Sequence, residues 1–269
     1  MLYVVLFLLF ALACAALTVL LGGPVWLAAA VFALAFLLAH LIFVLVFRLL
    51  SRGTDLSRPG EKQNRFTRRG AEALGQILCL YGGVRPVLSG LEKLPEGERF
   101  LFVCNHRSLF DPLIVMGFLG KWNIAFISKP SNLAIPLVGP AARTAGFLAI
   151  DRDNDRAALK TILTAADYIK RGVCSIGIYP EGTRSRDGAL LPFHSGSFKI
   201  AQRAKCPLVI ACVHGTEKAG RGLFLCPRRA YLEILETLPA EQVGSMSTQA
   251  LAEHSRGLIE ARLKEVEGA

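Results

Sequence analysis

The amino-acid sequence predicts an α/β fold: a largely buried mixed sheet flanked by helices, preceded by an N-terminal hairpin of two hydrophobic helices. Three observations carry this prediction. Residues 1 to 47 contain no Lys, Arg, Asp or Glu, although the chain as a whole holds 31 basic and 21 acidic residues. The remaining part, which carries all of that charge, is long enough for one domain with its own core. Within it, short apolar runs alternate with helical stretches, the pattern of a buried sheet with crossover helices.

The hairpin comes first. Its two apolar runs, Leu2 to Leu21 and Val25 to Phe47, are separated only by Gly22-Gly23-Pro24, which breaks a helix and favours a turn. About 20 residues at ~1.5 Å each cover a hydrocarbon core of ~30 Å, so each run is long enough to span a bilayer. The alternative is one span followed by a buried or interfacial helix. A cleaved leader is disfavoured, since no positive residue precedes the first run.

Beyond Phe47 the chain turns basic, with Arg48, Arg52, Arg58, Lys62, Arg65, Arg68 and Arg69 against Asp55 and Glu61. Positive flanks stay on the cytoplasmic side, which predicts a cytoplasmic-membrane protein with its polar domain on the cytosolic face, beside anionic head groups. Seven cysteines without a C-x-x-C pair argue against a disulfide framework or a zinc site. The predicted organisation is a membrane anchor over 1–47, a basic linker with an amphipathic helix over 48–82, and a catalytic domain over 83–269. No metal, cofactor or nucleic-acid partner is expected.

The elements of the soluble part follow in order. An amphipathic helix runs from Phe66 to Tyr81 and ends at Gly82-Gly83. Expected strands are Phe100 to Cys104, Ala125 to Ser128, Phe147 to Ile150, Cys174 to Tyr179, Leu208 to Val213 and Tyr231 to Leu235. Expected helices are Pro112 to Leu119, Arg156 to Lys170, Ser197 to Ala204 and Thr248 to Val266.

Directly after the first expected strand stands Asn105-His106-Arg107-Ser108-Leu109-Phe110-Asp111-Pro112. Five residues of regular helix turn ~500°, which would not align His106 with Asp111, so a turn must separate them. Asp111-Pro112 also reads as a helix cap followed by a proline at the first helical position. In the functional reading His106 accepts a hydroxyl proton while Asp111 fixes the tautomer and stabilises the imidazolium. No G-x-S-x-G elbow accompanies the pair, which weakens a lipase reading.

A second polar block, Tyr179-Pro180-Glu181-Gly182-Thr183-Arg184-Ser185-Arg186, ends another expected strand, where α/β sheets place ligands. Gly182 permits close backbone approach, Thr183 and Ser185 offer hydroxyls, and Arg184 can fork onto a phosphate. A plain polar turn uses the same residue types. Arg152, in Gly146 to Arg152, adds a further cation, or a surface ion pair with Asp151.

Taken together, these blocks resemble the glycerophospholipid acyltransferase family, most of all its bacterial 1-acylglycerol-3-phosphate acyltransferases. The first block matches at Asn105, His106 and Asp111, the second at Gly146 to Arg152, the third at Glu181, Gly182, Thr183 and Arg184. Pro207 with the apolar run to Val213 resembles the fourth, and the order and separations agree over residues 85 to 215. The resemblance implies His106 and Asp111 as the catalytic pair, with Arg152, Glu181, Gly182, Thr183 and Arg184 holding the phosphoglycerol end of the acceptor. Lys129 resembles a basic position that the family places near that phosphate. His194-Ser195 stand before Gly196 where the family usually has a basic pair.

The implied reaction moves an acyl group from acyl-carrier protein or acyl-coenzyme A to the sn-2 hydroxyl of lysophosphatidic acid, giving phosphatidic acid for phospholipid synthesis. Rivals are the same chemistry on glycerol-3-phosphate or another lysolipid, a membrane-bound lipid hydrolase, and a non-catalytic lipid-binding protein.

Overall fold

The computed structural model describes residues 2–51, 65–135, 138–151, 154–185, 188–218 and 227–267. The chain divides into two units, Met1–Gly53 and Thr54–Ala269. The first is the helical hairpin: α1 (Leu2–Leu20) and α2 (Val25–Ser51) joined at Gly22, whose φ of 80° lies in the left-handed region. Tyr3–Leu20 and Val25–Val46 are long and apolar enough to cross a membrane, by length and composition. The two helices meet through aromatic rings, Phe7 lying 4.8 Å from His40 and 5.9 Å from Phe43. The basic stretch that follows lies largely outside the described residues, including Arg52, Arg58 and Lys62.

The second unit opens with α3 (Arg65–Tyr81) and β1 (Val84–Ser89). Then come β2 (Leu101–Cys104), α4 (Phe110–Phe118), β3 (Ile124–Ser128), α5 (Pro130–Leu133), α6 (Val138–Thr144) and β4 (Leu148–Ala149). The rest are α7 (Asp155–Lys170), β5 (Ser175–Ile178), α8 (Lys199–Ala204), β6 (Leu208–His214), β7 (Arg228–Leu238), α9 (Ala240–Ser245) and α10 (Thr248–Glu267). The strands form one mixed sheet in the order β1-β7-β6-β2-β5-β3-β4. Every pair is parallel except β6 with β7.

Strand order fixes where a site can lie. The chain leaves β2 and returns in β3, beyond β5; it leaves β5 and returns in β6, beyond β2. The two connections leave neighbouring strands in opposite directions, and α/β sheets place ligands in the crevice at the carboxyl ends of their strands. β2 and β5 are buried along their whole length, so the crevice stands on a rigid floor.

Two glycines set one wall. A Cβ on Gly75 of α3 would come within 2.9 Å of the Leu113 carbonyl oxygen, and one on Gly117 of α4 within 2.9 Å of the Gln76 nitrogen. The helices therefore cross at backbone contact, joined by Gln76 Nε2 donating to the Gly117 carbonyl at 2.7 Å. The helix expected within the linker is thus a packed element of the second unit.

The other departures from expectation are local. β1 carries Pro86, a residue that strands tolerate mainly at sheet edges, and among the described residues β1 is an edge strand paired with β7 alone. α5 and α6 were not expected at all, because Pro130, Pro136, Gly139 and Pro140 break any periodicity there. β7 extends the expected strand at both ends.

Candidate active site

The loop after β2 is tied down before it reaches the crevice. Asn105, 1% exposed, holds the backbone of β6 in both directions, Nδ2 donating to the Val213 carbonyl at 2.9 Å and Oδ1 accepting from the Val213 amide at 2.8 Å. His106 follows, and its Nδ1 lies 2.8 Å from Oδ2 of Asp111. The same oxygen accepts the backbone N–H of Arg107 and of Ser108, each at 2.7 Å.

These bonds correct the capping expectation for Asp111. α4 starts two residues earlier than expected, at Phe110, with Leu109 at the cap position and no side chain capping the helix. Asp111 sits inside the first turn and reaches back to the preceding loop. Three donors converge on one oxygen there, whereas a cap position would have supplied one or two. The turn required between His106 and Asp111 is this loop. The carboxylate is 2% exposed, and its other oxygen, Oδ1, is buried and has no hydrogen-bond partner among the described residues.

The loop after β5 supports the first one from below. Glu181, 4% exposed, accepts the His106 backbone N–H on Oε1 at 2.6 Å and the Leu191 N–H on Oε2 at 3.0 Å. Ser185 returns a bond, its N–H donating to the His106 carbonyl at 3.0 Å. Burial pushes the Glu181 carboxyl above its ordinary value, with the two backbone donors acting in the opposite direction. Both oxygens are therefore spent on backbone, and Gly182, at φ 75°, turns the chain away from them.

Two rings stack behind His106. His106 lies face to face with Tyr179, centroids 4.1 Å apart and planes 12° from parallel; Tyr179 lies against Phe126 at 4.9 Å and 10°. Arg107, next to the histidine, turns into the protein, its Nη2 donating to the Gly188 carbonyl at 2.9 Å and to Glu267 Oε1 at 2.5 Å.

Two adjoining cavities open beside His106. The smaller, about 140 Å³, is lined by His106, Lys129, Tyr179, Gly182, Thr183 and Arg184 among others. The larger, about 400 Å³, is almost wholly apolar, enclosed by Leu78, Tyr81, Phe110, Leu113, Met116, Leu133, Val138 and Ala142. Leu109, Pro112, Ser128, Asn132 and Phe147 line both. The structure thus brings His106, Asp111, Glu181, Gly182, Thr183, Arg184 and Lys129 together around one crevice. Arg152 lies outside the described residues.

Chemically, this arrangement joins an imidazole with one ring nitrogen held by a buried carboxylate, two cations at a polar pocket, and an apolar cavity next door. Reasoning from sequence assigned no role to Tyr179 or Arg107, and matched Asn105 in the first block without assigning it one. Asn105 and Tyr179 were visible as neighbours of the histidine and glutamate blocks, but their partners come from distant strands. Arg107 gave no signal, since its partner Glu267 is 160 residues away.

A family model described as Acyltransferase matches residues 85–214. A 1-acyl-sn-glycerol-3-phosphate acyltransferase of Salmonella typhimurium is 30% identical over 209 residues, covering 75% of this chain and 84% of its own length. The Escherichia coli enzyme of the same name gives the same identity and coverage. The crystal structure of the 1-acyl-sn-glycerophosphate acyltransferase PlsC from Thermotoga maritima superimposes with a TM-score of 0.63 at 24% identity, over 85% of this chain and 96% of that one. The chain belongs to the 1-acyl-sn-glycerol-3-phosphate acyltransferase family.

Proposed function

We propose that the protein transfers an acyl group from an acyl thioester, on acyl-carrier protein or coenzyme A, to the sn-2 hydroxyl of 1-acyl-sn-glycerol-3-phosphate, forming phosphatidate. The observation that carries this reading is the His106–Asp111 pair, 2.8 Å apart, standing between a cation-lined pocket and an apolar cavity. With Nδ1 engaged by Asp111, Nε2 takes the hydroxyl proton as the oxygen attacks the thioester carbonyl. The C–S bond then breaks, and the imidazolium returns the proton to the departing thiolate. Asp111 stabilises the positive charge that His106 carries between the two transfers.

Lys129 and Arg184 hold the phosphate in this reading, since a dianion needs charge-assisted donors. Glu181 acts indirectly, by fixing the backbone of His106. A cavity of about 400 Å³ falls within the ~300–1,000 Å³ typical of ligand sites and suits an acyl chain. The two apolar helices support membrane attachment, and the positive residues after them favour an inner-membrane protein with the catalytic unit on the cytosolic side.

The test is an assay of lipid products and released thiol with 1-acylglycerol-3-phosphate, glycerol-3-phosphate, other lysolipids and no acceptor. Phosphatidate formed only with the first acceptor is the expected result. A preference for glycerol-3-phosphate or another lysolipid would move the acceptor assignment. Thiol release independent of any acceptor would make the protein a hydrolase.

A further inference from the structure

Arg107 buries its charge beside His106, with a side chain only 5% exposed. A buried guanidinium is tolerated where its N–H groups are matched, and those of Arg107 are spread over three separate segments. Nη2 donates to the Gly188 carbonyl at 2.9 Å and to Glu267 Oε1 at 2.5 Å, and Nη1 faces Glu217 Oε2 at 3.7 Å. Gly188 belongs to the loop after β5, Glu217 to the short turn Thr216–Lys218 after β6, and Glu267 to the end of α10. The backbone of the same residue is also tied. Its N–H donates to Asp111 Oδ2 at 2.7 Å, and the carbonyl at the other side of that peptide group, from His106, accepts the Ser185 N–H at 3.0 Å. A chain of contacts therefore runs from Glu267 through the guanidinium to the Arg107 amide, then to Asp111 Oδ2 and on to His106 Nδ1, 2.8 Å away.

We infer that Arg107 is a positioning residue for the His106–Asp111 pair, and that Glu267 extends this support to α10. The inference rests on the reading of that pair as the base of the reaction. The amides of Arg107 and Ser108 fix where the Asp111 carboxylate stands relative to the imidazole. The Arg107 amide can hold that place only while its own residue stays still, and the anchored guanidinium supplies this. A planar fork reaches partners in several directions at once, which the single ammonium of lysine does less well. Two carboxylates flank the one cation, Glu217 at 35% exposure and Glu267 at 54%, so the charge stays paired where the cluster meets water. Misplacing a catalytic group by ~1 Å costs on the order of 10²-fold in rate, which sets the scale of the advantage.

Substitution separates the parts, with rates read well below the unfolding midpoint of each variant. Arg107→Gln should lower kcat by on the order of 10²-fold. Glu267→Gln should lower it about threefold, since water screens part of a half-exposed pair. In the double variant the loss should equal that of Arg107→Gln alone, because the effect of Glu267 passes through the guanidinium. The KM for lysophosphatidate should stay within about threefold of wild type throughout, as neither Lys129 nor Arg184 is touched. Arg107→Lys keeps the charge and loses the fork, so it should recover only part of kcat. Wild-type kcat in Arg107→Gln, or full recovery in Arg107→Lys, overturns the positioning role. Additive losses in the double variant overturn the pairing with Glu267.

A second measurement is independent of turnover. In full-length, ¹⁵N-histidine-labelled protein in detergent micelles, the His106 Nδ1 proton is assigned by its loss in His106→Ala. Its resonance should lie downfield in wild type, where Asp111 holds it, and move upfield in Arg107→Gln as that contact loosens. Glu267→Gln should move it the same way by less. Should Arg107→Gln not fold, Glu267→Gln decides by its kcat and this resonance, since its side chain is half-exposed at the end of α10. A wild-type protein that transfers no acyl group would sink the acyltransferase reading alone, while an Nδ1 proton unmoved in both variants would sink this proposal alone.

Discussion

The two loops that meet at the crevice use their polar side chains in opposite ways. Between Asn105 and Asp111 the polar groups turn inward: Asn105 holds β6, Arg107 reaches Gly188 and Glu267, and Asp111 gathers three N–H donors. After Glu181 the second loop turns outward. Thr183 and Arg184 are exposed, as is Lys129 across the pocket, and among the described residues no ion pair engages either cation. Groups already satisfied within the fold need no reorganisation when substrate arrives. Exposed cations lose little by waiting in water and gain a partner only when a phosphate binds. The first loop is therefore expected to govern turnover and the second to govern acceptor binding.

The largest expected effect comes from breaking the first loop at its functional end. His106→Ala should lower kcat by on the order of 10²-fold or more, the scale of a positioned general base, with expression and membrane insertion unchanged. Asp111→Asn sharpens the same point. Asparagine can keep its oxygen in the place of Oδ2, accepting the same three N–H groups, so the fold and the tautomer of His106 should survive. What it lacks is charge, and turnover should still fall steeply because nothing offsets the imidazolium. A fully active, normally folded Asp111→Asn enzyme would reduce the carboxylate to a loop staple.

Next in size is the second loop. Arg184→Ala should raise the apparent KM for lysophosphatidate by roughly 10- to 100-fold, the equivalent of about 1.5–3 kcal/mol for a hydrogen bond to a charged group. The KM for the acyl donor should change far less. Arg184→Lys should recover part of the loss, since a point charge replaces the fork incompletely. Equal effects on donor and acceptor would erase the contrast between the loops.

This contrast shows what was legible in the sequence. Residue type and order placed His106, Asp111 and the Glu181–Arg184 block at the ends of buried strands, because apolar runs followed by polar clusters mark strand ends. Direction was not legible. Glu181 and Arg184 stand three residues apart, yet Gly182 at φ 75° sends one inward and the other outward. Asp111 before a proline carried every local mark of a cap, but tertiary donors from the preceding loop outweighed that local preference. β1 escaped notice because Pro86 argues against a strand until the edge position is known. The apolar cavity draws its walls from α3, α4, α5 and α6, and two of those helices are too short and too interrupted to show a period.

The smallest expected effect on turnover is also the most direct test of the inward group in the second loop. Glu181 accepts two backbone N–H groups, one on each oxygen. In Glu181→Gln one oxygen becomes an amide nitrogen that faces a donor, leaving a backbone N–H unmatched at a cost of about 1–3 kcal/mol. The thermal midpoint should drop while the KM for lysophosphatidate stays near wild type. The pH dependence adds a sign. Burial raises the Glu181 carboxyl above its ordinary 4.5 in the folded protein, so over the window between those values the folded state binds the proton more tightly than the unfolded chain. The stability contributed by this proton is fully present below 4.5 and is lost as pH rises through the folded value. Glutamine has no such proton. The gap in unfolding midpoint between wild type and Glu181→Gln should therefore widen as pH falls through the window and level off beneath it. A gap that narrowed on acidification would mean that the carboxyl is stabilised as an anion, with the two backbone donors outweighing its burial.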